Sequence, residues 1–275
     1  MTRAMLSDVL RPCLTDGTAV AGLVVLGWED ARAFVRAAEA EARPLILQAG
    51  PGCRAHTPLP ILGAMFRYLA DTASVPVVAH LDHGENLEVC RRAIECGFTS
   101  VMYDGSALPL AENITRSAEV ALMARAHGVG AEAELGFVGY ADGVASTGTD
   151  PGQVAQFWRE TGVDALAISV GNVHLMQDAD AQIDLARLGA IIAAAPNLPL
   201  VLHGGSGLAP DLRRSLARTT VCKFNIGTEL RMAFGQALRA SVNRDPARFD
   251  RIALLSETEG PVTAAARHAI ASLSA

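Results

Sequence analysis

The sequence predicts an α/β fold, a (β/α)8 TIM barrel with an extra C-terminal helix, as one domain over residues 1–275. Three observations predict it. Short apolar runs alternate with longer amphipathic segments rich in Ala, Glu, Leu and Arg, eight times over. The chain length of 275 residues suits a barrel, which typically takes about 250. Charged, imidazole and glycine residues gather where the apolar runs stop, which is where barrels of this kind carry their chemistry. Eight strand–helix units in one chain of this length favour a closed barrel over a doubly wound sheet.

In chain order the strands are expected near 19–26, 44–49, 76–82, 99–104, 129–135, 164–170, 199–204 and 221–226. Helix starts are signalled by Glu29-Asp30, Pro58, Asn86-Leu87-Glu88, Pro109 with Glu112, Asp150-Pro151, Asp184, Pro210-Asp211 and Thr228-Glu229, each a cap, a first-turn acid or a proline at the first helical position. The tail from about 259 adds one more helix. Hydrophobic residues make up 50% of the chain, enough for a large core.

Composition narrows the partners. A net charge of −6 with no basic stripe interleaved with aromatics argues against nucleic acid. Five cysteines, odd in number and without CxxC spacing, indicate neither a disulfide framework nor a thiolate zinc site, and they fit a reducing cytoplasm. No secretory segment and no apolar run of membrane-spanning length are present, so a soluble cytoplasmic protein with no membrane partner is expected.

The third strand carries the strongest local signal. Pro76-Val77-Val78-Ala79 runs into His80-Leu81-Asp82-His83-Gly84. Side chains alternate along a strand, so His80 and Asp82 share one face while His83 sits at the end, free to turn elsewhere. That arrangement sets a proton-transfer carboxylate beside a metal ligand; its bland alternative is a capped strand end. The pattern recurs at the other strand ends: Asp104-Gly105-Ser106, Glu132 and Glu134, His174, His203, and Asn225-Ile226-Gly227-Thr228. His83, His174 and His203 come from three strands to one mouth. Three neutral imidazoles with an open position are a common catalytic zinc arrangement, and soft thiolate ligands are absent. Gly204-Gly205-Ser206-Gly207 and Asn225–Thr228 follow the seventh and eighth strands, where barrels frequently bind phosphate on backbone N–H groups.

His80-Leu81-Asp82-His83-Gly84, Gly97-Phe98-Thr99-Ser100-Val101-Met102 with Asp104-Gly105-Ser106, Glu132-Ala133-Glu134-Leu135-Gly136, Leu202-His203-Gly204-Gly205-Ser206-Gly207 and Lys223-Phe224-Asn225-Ile226 together resemble the class II, zinc-dependent fructose- and tagatose-bisphosphate aldolases, with spacing nearest the tagatose branch. The resemblance covers about residues 5–245. It implies zinc on His83, His174 and His203, with Asp104 and Glu134 as an alternative metal position, and a monovalent cation as a second ion. It implies Asp82 as proton donor and acceptor at the aldehyde oxygen. Leu175, Gly204, Gly205, Ser206, Asn225, Ile226, Gly227 and Thr228 would hold the phosphate of a dihydroxyacetone phosphate unit. The partner would be a phosphorylated sugar, and the assembly a homodimer or homotetramer.

The implied chemistry agrees with the residues. Breaking the bond between a ketose's third and fourth carbons leaves an enediolate, which calls for a Lewis acid, and Asp82 can take the proton of the 4-hydroxyl. Lys223, the only lysine, lies near a strand end and is the one candidate for an imine mechanism. Four departures from the family stand out. Ala21-Gly22-Leu23 replaces Ala-Phe-Asn, removing a polar side chain at the mouth; Leu175 replaces a glycine; Asp142 stands in a short loop in place of a proton-exchanging glutamate; and Asp245-Pro246-Ala247-Arg248 displaces by one residue an arginine that reads a distal phosphate. The alternatives are metal-assisted enolate chemistry on another, non-phosphorylated donor, a non-catalytic metal-binding paralogue, and a metallohydrolase. Retention of Asp82 weighs against the paralogue and the paired phosphate loops against the hydrolase.

Overall fold

The computed structural model describes residues 2–141 and 143–274. Eight parallel strands, β1 (Val20–Val24), β2 (Leu45–Ala49), β3 (Val77–Gly84), β4 (Ser100–Tyr103), β5 (Gly130–Leu135), β6 (Ala165–Ile168), β7 (Leu200–Leu202) and β8 (Val221–Ile226), close into a barrel in chain order. All eight expected strands are present, and each signalled helix start opens a helix: α2 (Trp28–Ala40), α4 (Leu59–Thr72), α5 (Leu87–Glu95), α6 (Leu110–Ala126), α7 (Pro151–Thr161), α8 (Leu185–Ala194), α9 (Pro210–Ala217) and α10 (Thr228–Arg244). Asn86, Asp150 and Asp184 accept first-turn N–H groups at their helix N-termini, the capping chemistry that made these starts visible.

Two helices escape the sequence reading. The N-terminal α1 (Leu6–Asp16) buries Leu6, Val9, Leu10 and Cys13 at helical spacing, with Pro12 inside it masking the pattern. The short α3 (Pro51–His56) follows β2. The terminal helix, α11 (Arg251–Ala271), starts well before the expected 259, because Asp250 caps it by accepting from Ala253 N. Glu259-Gly260-Pro261 imitates a helix start, yet Pro261 lies inside the helix. This helix packs on α2 and α10, and the buried Glu259 is ion-paired with Arg32 and Arg36 of α2.

Period-two alternation stacks the barrel interior in layers. An apolar cluster closes the bottom: Val20, Ile46 and Val78 pack with Leu6, Val9 and Leu10 of α1, and Met102, Val201 and Cys222 belong to the same cluster. Above it the interior turns polar: Gln48 and His80 lie two residues beyond Ile46 and Val78 on their strands, and Ser100, Glu132 and Lys223 join them, all fully or almost fully buried. Gly22 has no side chain at this level because Gln48 fills the space; a Cβ there would meet the Gln48 amide oxygen at 2.0 Å. The mouth lies one step higher still.

Candidate active site

Asp82 follows Val78 and His80 along the inward face of β3 and lines a cavity of about 240 Å³ at the C-terminal mouth. The next residue would ordinarily point outward. Instead the register of β3 against β4 slips between Leu81 and Gly84, and His83 takes the left-handed conformation with φ of +49°. This bulge turns two consecutive side chains into the same cavity. Arg54 of α3 clamps it by donating to the carbonyl oxygens of Asp82 and His83 and forming an ion pair with Glu85.

Three imidazoles meet there. Nε2 of His83 lies 3.1 Å from Nδ1 of His203, and the His174 ring centre is 5.4 Å from each of the other two. The ring nitrogens of the three approach within 4.8 Å of one another, and so do ligand atoms of His83, Asp104 and Glu134. Nδ1 of His83 is 2.7 Å from Asp104 Oδ2 and 3.9 Å from Glu134 Oε2, so one histidine serves both sets with opposite ring edges. His174 Nε2 and Glu134 Oε2 are buried without a hydrogen-bond partner, which a bound cation would supply. The donor set therefore fits a metal ion: imidazole nitrogens in one cluster, carboxylates in the other, and orphaned atoms in both.

Charge points the same way. Burial lowers His174 to about 4, helped by the neighbouring His83, and drives His203 well below the ordinary histidine value. Burial would lower His83 too, but Asp82, Asp104 and Glu134 surround it and lift it to about 10. Burial pushes Glu134 up to about 8. For Asp82 and Asp104 burial is outweighed by the His83 charge, and both lie below the usual carboxylate value. Three acids thus enclose one cationic ring, a nest that holds positive charge.

Beneath the histidines lies a buried ionic layer. Lys223, the only lysine in the chain, is fully buried, with Nζ 2.6 Å from Glu132 Oε2 and 3.2 Å from His80 Nε2. The other Glu132 oxygen is 3.4 Å from His203 Nε2, while His80 Nδ1 pairs with Ser100 Oγ at 2.7 Å. Glu132 consequently holds the far edge of His203 and leaves Nδ1 to face His83. Lys223 does not line the cavity, so the imine candidate is withdrawn: its amine is committed to Glu132.

The two glycine loops are cross-linked. Ser206 Oγ accepts from the N–H groups of Gly227 and Glu229, joining the 3-10 turn Gly205–Gly207 to the N-terminus of the 17-residue α10. Buried Arg213 of α9 braces both, donating to Gly205 O and pairing with Glu229 at 2.8 Å. Gly204 has φ of +66°, and a Cβ there would fall 2.1 Å from Val173 O, so only glycine fits. Leu175 keeps a left-handed backbone, φ +61°, although it is not glycine, and its half-exposed side chain lines the cavity.

Of the residues expected to contact substrate, Leu175, Gly204, Ser206, Asn225, Gly227 and Thr228 line the cavity. Gly205 and Ile226 do not. Gly205 is the buried rung braced by Arg213, and the Ile226 side chain belongs to the hydrophobic core, as alternation along β8 requires once Asn225 faces inward. At the first strand the mouth residue is Val24, not Leu23, which is fully buried on the outer face. Arg248 pairs with Glu257 and Asp245 and does not line the cavity. Asp142 lies outside the described residues. Tyr140 and Arg231 also border the cavity; Tyr140 stacks on His174 with ring centres 4.9 Å apart and is bridged to it through the backbone. The sequence hint for Tyr140 was its place in a glycine-flanked loop; Arg213 carried none.

Residues 4–275 match the family model described as fructose-bisphosphate aldolase class-II. The chain belongs to the class II fructose-bisphosphate aldolase family. It is 38% identical over 230 residues to a fructose-bisphosphate aldolase of Streptococcus pyogenes serotype M3, covering 82% of this chain and 78% of that one. It is 34% identical over 260 residues to a 6-phospho-5-dehydro-2-deoxy-D-gluconate aldolase of Shouchella clausii, covering 92% and 88%. The crystal structure of the YdjI aldolase from Escherichia coli K12 superposes with a TM-score of 0.84 at 29% identity, covering 98% of this chain and 96% of that one. Membership makes the protein a class II aldolase, a carbon–carbon lyase of phosphorylated ketoses. These relatives do not carry a tagatose name, so the branch stays an expectation. Among the described residues no helix is long and apolar enough to cross a membrane.

Proposed function

We propose that this aldolase is zinc-dependent and reversibly cleaves a ketose 1-phosphate or ketose bisphosphate to dihydroxyacetone phosphate and an aldehyde. The observation that carries the reading is the cluster of three histidine ring nitrogens within 4.8 Å of one another beside the Asp82 carboxylate. In this reading His83, His174 and His203 hold zinc, and Asp104 and Glu134 form a second position around His83. Three imidazole donors with an open position are a common catalytic zinc arrangement. Bound there, zinc supplies Lewis-acid stabilisation of the enediolate's negative charge.

The chain's own residues do the rest. Asp82, ionised because the His83 charge outweighs burial, takes the proton from the 4-hydroxyl as the bond breaks and returns it in condensation. Asn225 donates to Asp82 Oδ1 at 3.2 Å and fixes its rotamer. The Gly204–Gly207 and Asn225–Thr228 loops, tied by Ser206, present N–H groups and the α10 terminus to the phosphate. Asp142 remains our candidate for proton exchange at the dihydroxyacetone carbon. A soluble cytoplasmic homodimer or homotetramer is proposed on the resemblance.

The test is retro-aldol cleavage of a panel of ketose 1-phosphates and bisphosphates, with dihydroxyacetone phosphate detected by a coupled assay, before and after chelation. Release of dihydroxyacetone phosphate that chelator abolishes and zinc restores supports the reading. Cleavage that survives complete removal of the metal refutes it.

A further inference from the structure

The inference concerns the aldehyde half of the substrate and rests on the aldolase reading above. The polar side chains that line the cavity come from β3, from the loops after β5, β6 and β7, and from β8 and α10. The remaining wall, from the ends of β1 and β2, is made by Val24, Leu26, Gly50, Pro51 and Cys53. None of these offers a strong side-chain hydrogen bond, and the Cys53 thiol is held protonated by burial, its pKa raised to about 11. Gly50 stands directly beside the proton-transferring group, since a Cβ on it would lie 3.4 Å from Asp82 Oδ2. A substrate whose 4-hydroxyl meets Asp82 must therefore place its next carbons along this apolar wall.

The wall does not end at the cavity. Val24 and Leu26 also line an adjoining slot of about 230 Å³, whose floor is Phe34, Leu230, Phe234 and Leu255. Arg231, Arg251 and His56 border it together with Glu29 and Asp30, so the two acids offset the two arginines in formal charge, and the Asp30 carboxylate accepts from the N–H groups of Leu26 and Gly27. A phosphate dianion would enter a slot with no net positive charge. Arg248, the arginine the sequence offered for a distal phosphate, is engaged by Glu257.

We propose that the aldehyde half is an unphosphorylated aliphatic aldehyde, seated by shape on the β1–β2 wall and running into the slot, with no hydroxyl beside its carbonyl being read. A site built to hydrogen-bond a hydroxyl rejects the deoxy analogue by roughly 10⁴–10⁵-fold, whereas an apolar pocket separates the two by about 10² at most. Specificity at this end is then weak for hydroxylation and sensitive to bulk. In condensation the carbanion carbon of dihydroxyacetone phosphate bonds to the aldehyde carbon, and the new alkoxide takes the Asp82 proton, so no aldehyde hydroxyl takes part in the bond change.

The experiment uses the zinc-loaded enzyme with dihydroxyacetone phosphate in two stages. Solvent deuterium exchange into dihydroxyacetone phosphate, with no aldehyde present, reports the donor half alone. Condensation is then measured with butanal, 2-hydroxybutanal and glyceraldehyde 3-phosphate. The proposal expects neither of the last two to exceed butanal in kcat/KM by tenfold. Exchange accompanied by a preference of tenfold or more for 2-hydroxybutanal or glyceraldehyde 3-phosphate overturns this proposal alone. Absence of exchange overturns the aldolase reading beneath it. Gly50→Ser, whose φ of −77° suits any residue, sets a hydroxyl on the wall and should shift the ratio towards 2-hydroxybutanal; an unmoved ratio removes the wall as the determinant.

Discussion

Asn225 Nδ2 donates to Asp82 Oδ1 across 3.2 Å, joining the end of β8 to the end of β3. The contact spans 143 residues of sequence and fixes the carboxylate between the histidines and the apolar wall. Asp82→Ala is expected to keep its metal and lose about 10² to 10⁴ in kcat, the usual worth of a general acid–base. Metal analysis and steady-state kinetics on one preparation check it; an unchanged kcat assigns the proton to another group.

Metal uptake should depend on pH in a defined direction. In the metal-free protein His83 is raised to about 10, so it is protonated at neutral pH, and a metal must displace that proton. Apparent zinc affinity should rise from pH 6 to pH 9. Calorimetry at pH 8 in two buffers of different ionisation enthalpy should register release of about one proton or more, since Glu134 also titrates near 8. Zero release would mean that a neutral site already exists.

Removing the Lys223 charge leaves Glu132 buried and uncompensated. Lys223→Met is expected to cost about 3–5 kcal/mol in urea denaturation, and the double variant Lys223→Met with Glu132→Gln should recover most of it. Because the amine is ion-paired below the cavity, borohydride in the presence of dihydroxyacetone phosphate should leave activity intact. Inactivation by borohydride would revive an imine at Lys223.

The barrel and most of the mouth were readable because strand ends announce themselves: an apolar run that stops at Asp82-His83 or at His203-Gly204 has no other economical fold. The buried layer was not readable. Glu132 and His80 lie 91 and 143 residues from Lys223, and nothing local to any of them indicates that alternation on separate strands brings them together. The place of His83 at a strand end was legible, whereas the bulge and positive φ that aim it into the cavity were not, since no glycine marks them. The sequence motif did not show that the Ile226 side chain joins the core while that of Asn225 lines the cavity.

Ser206 should act on binding rather than on the bond-breaking step. Ser206→Ala removes the acceptor that holds the N–H groups of Gly227 and Glu229 together, and KM for the phosphorylated substrate should rise by about tenfold with kcat nearly unchanged. A fall in kcat at constant KM would place Ser206 in the chemistry itself.

The central claim is that metal and aldol cleavage belong to one site. The most direct measurement is a titration of the metal-free protein with zinc, in which dihydroxyacetone phosphate release and bound zinc are followed together for the wild type and for His174→Ala, whose ring nitrogen Nε2 is buried without a partner. The account predicts that activity in the wild type rises in proportion to occupancy and saturates at one zinc per chain, while His174→Ala fails to retain zinc and fails to turn over. Full zinc occupancy in His174→Ala, or activity in the wild type before any zinc is bound, would contradict it.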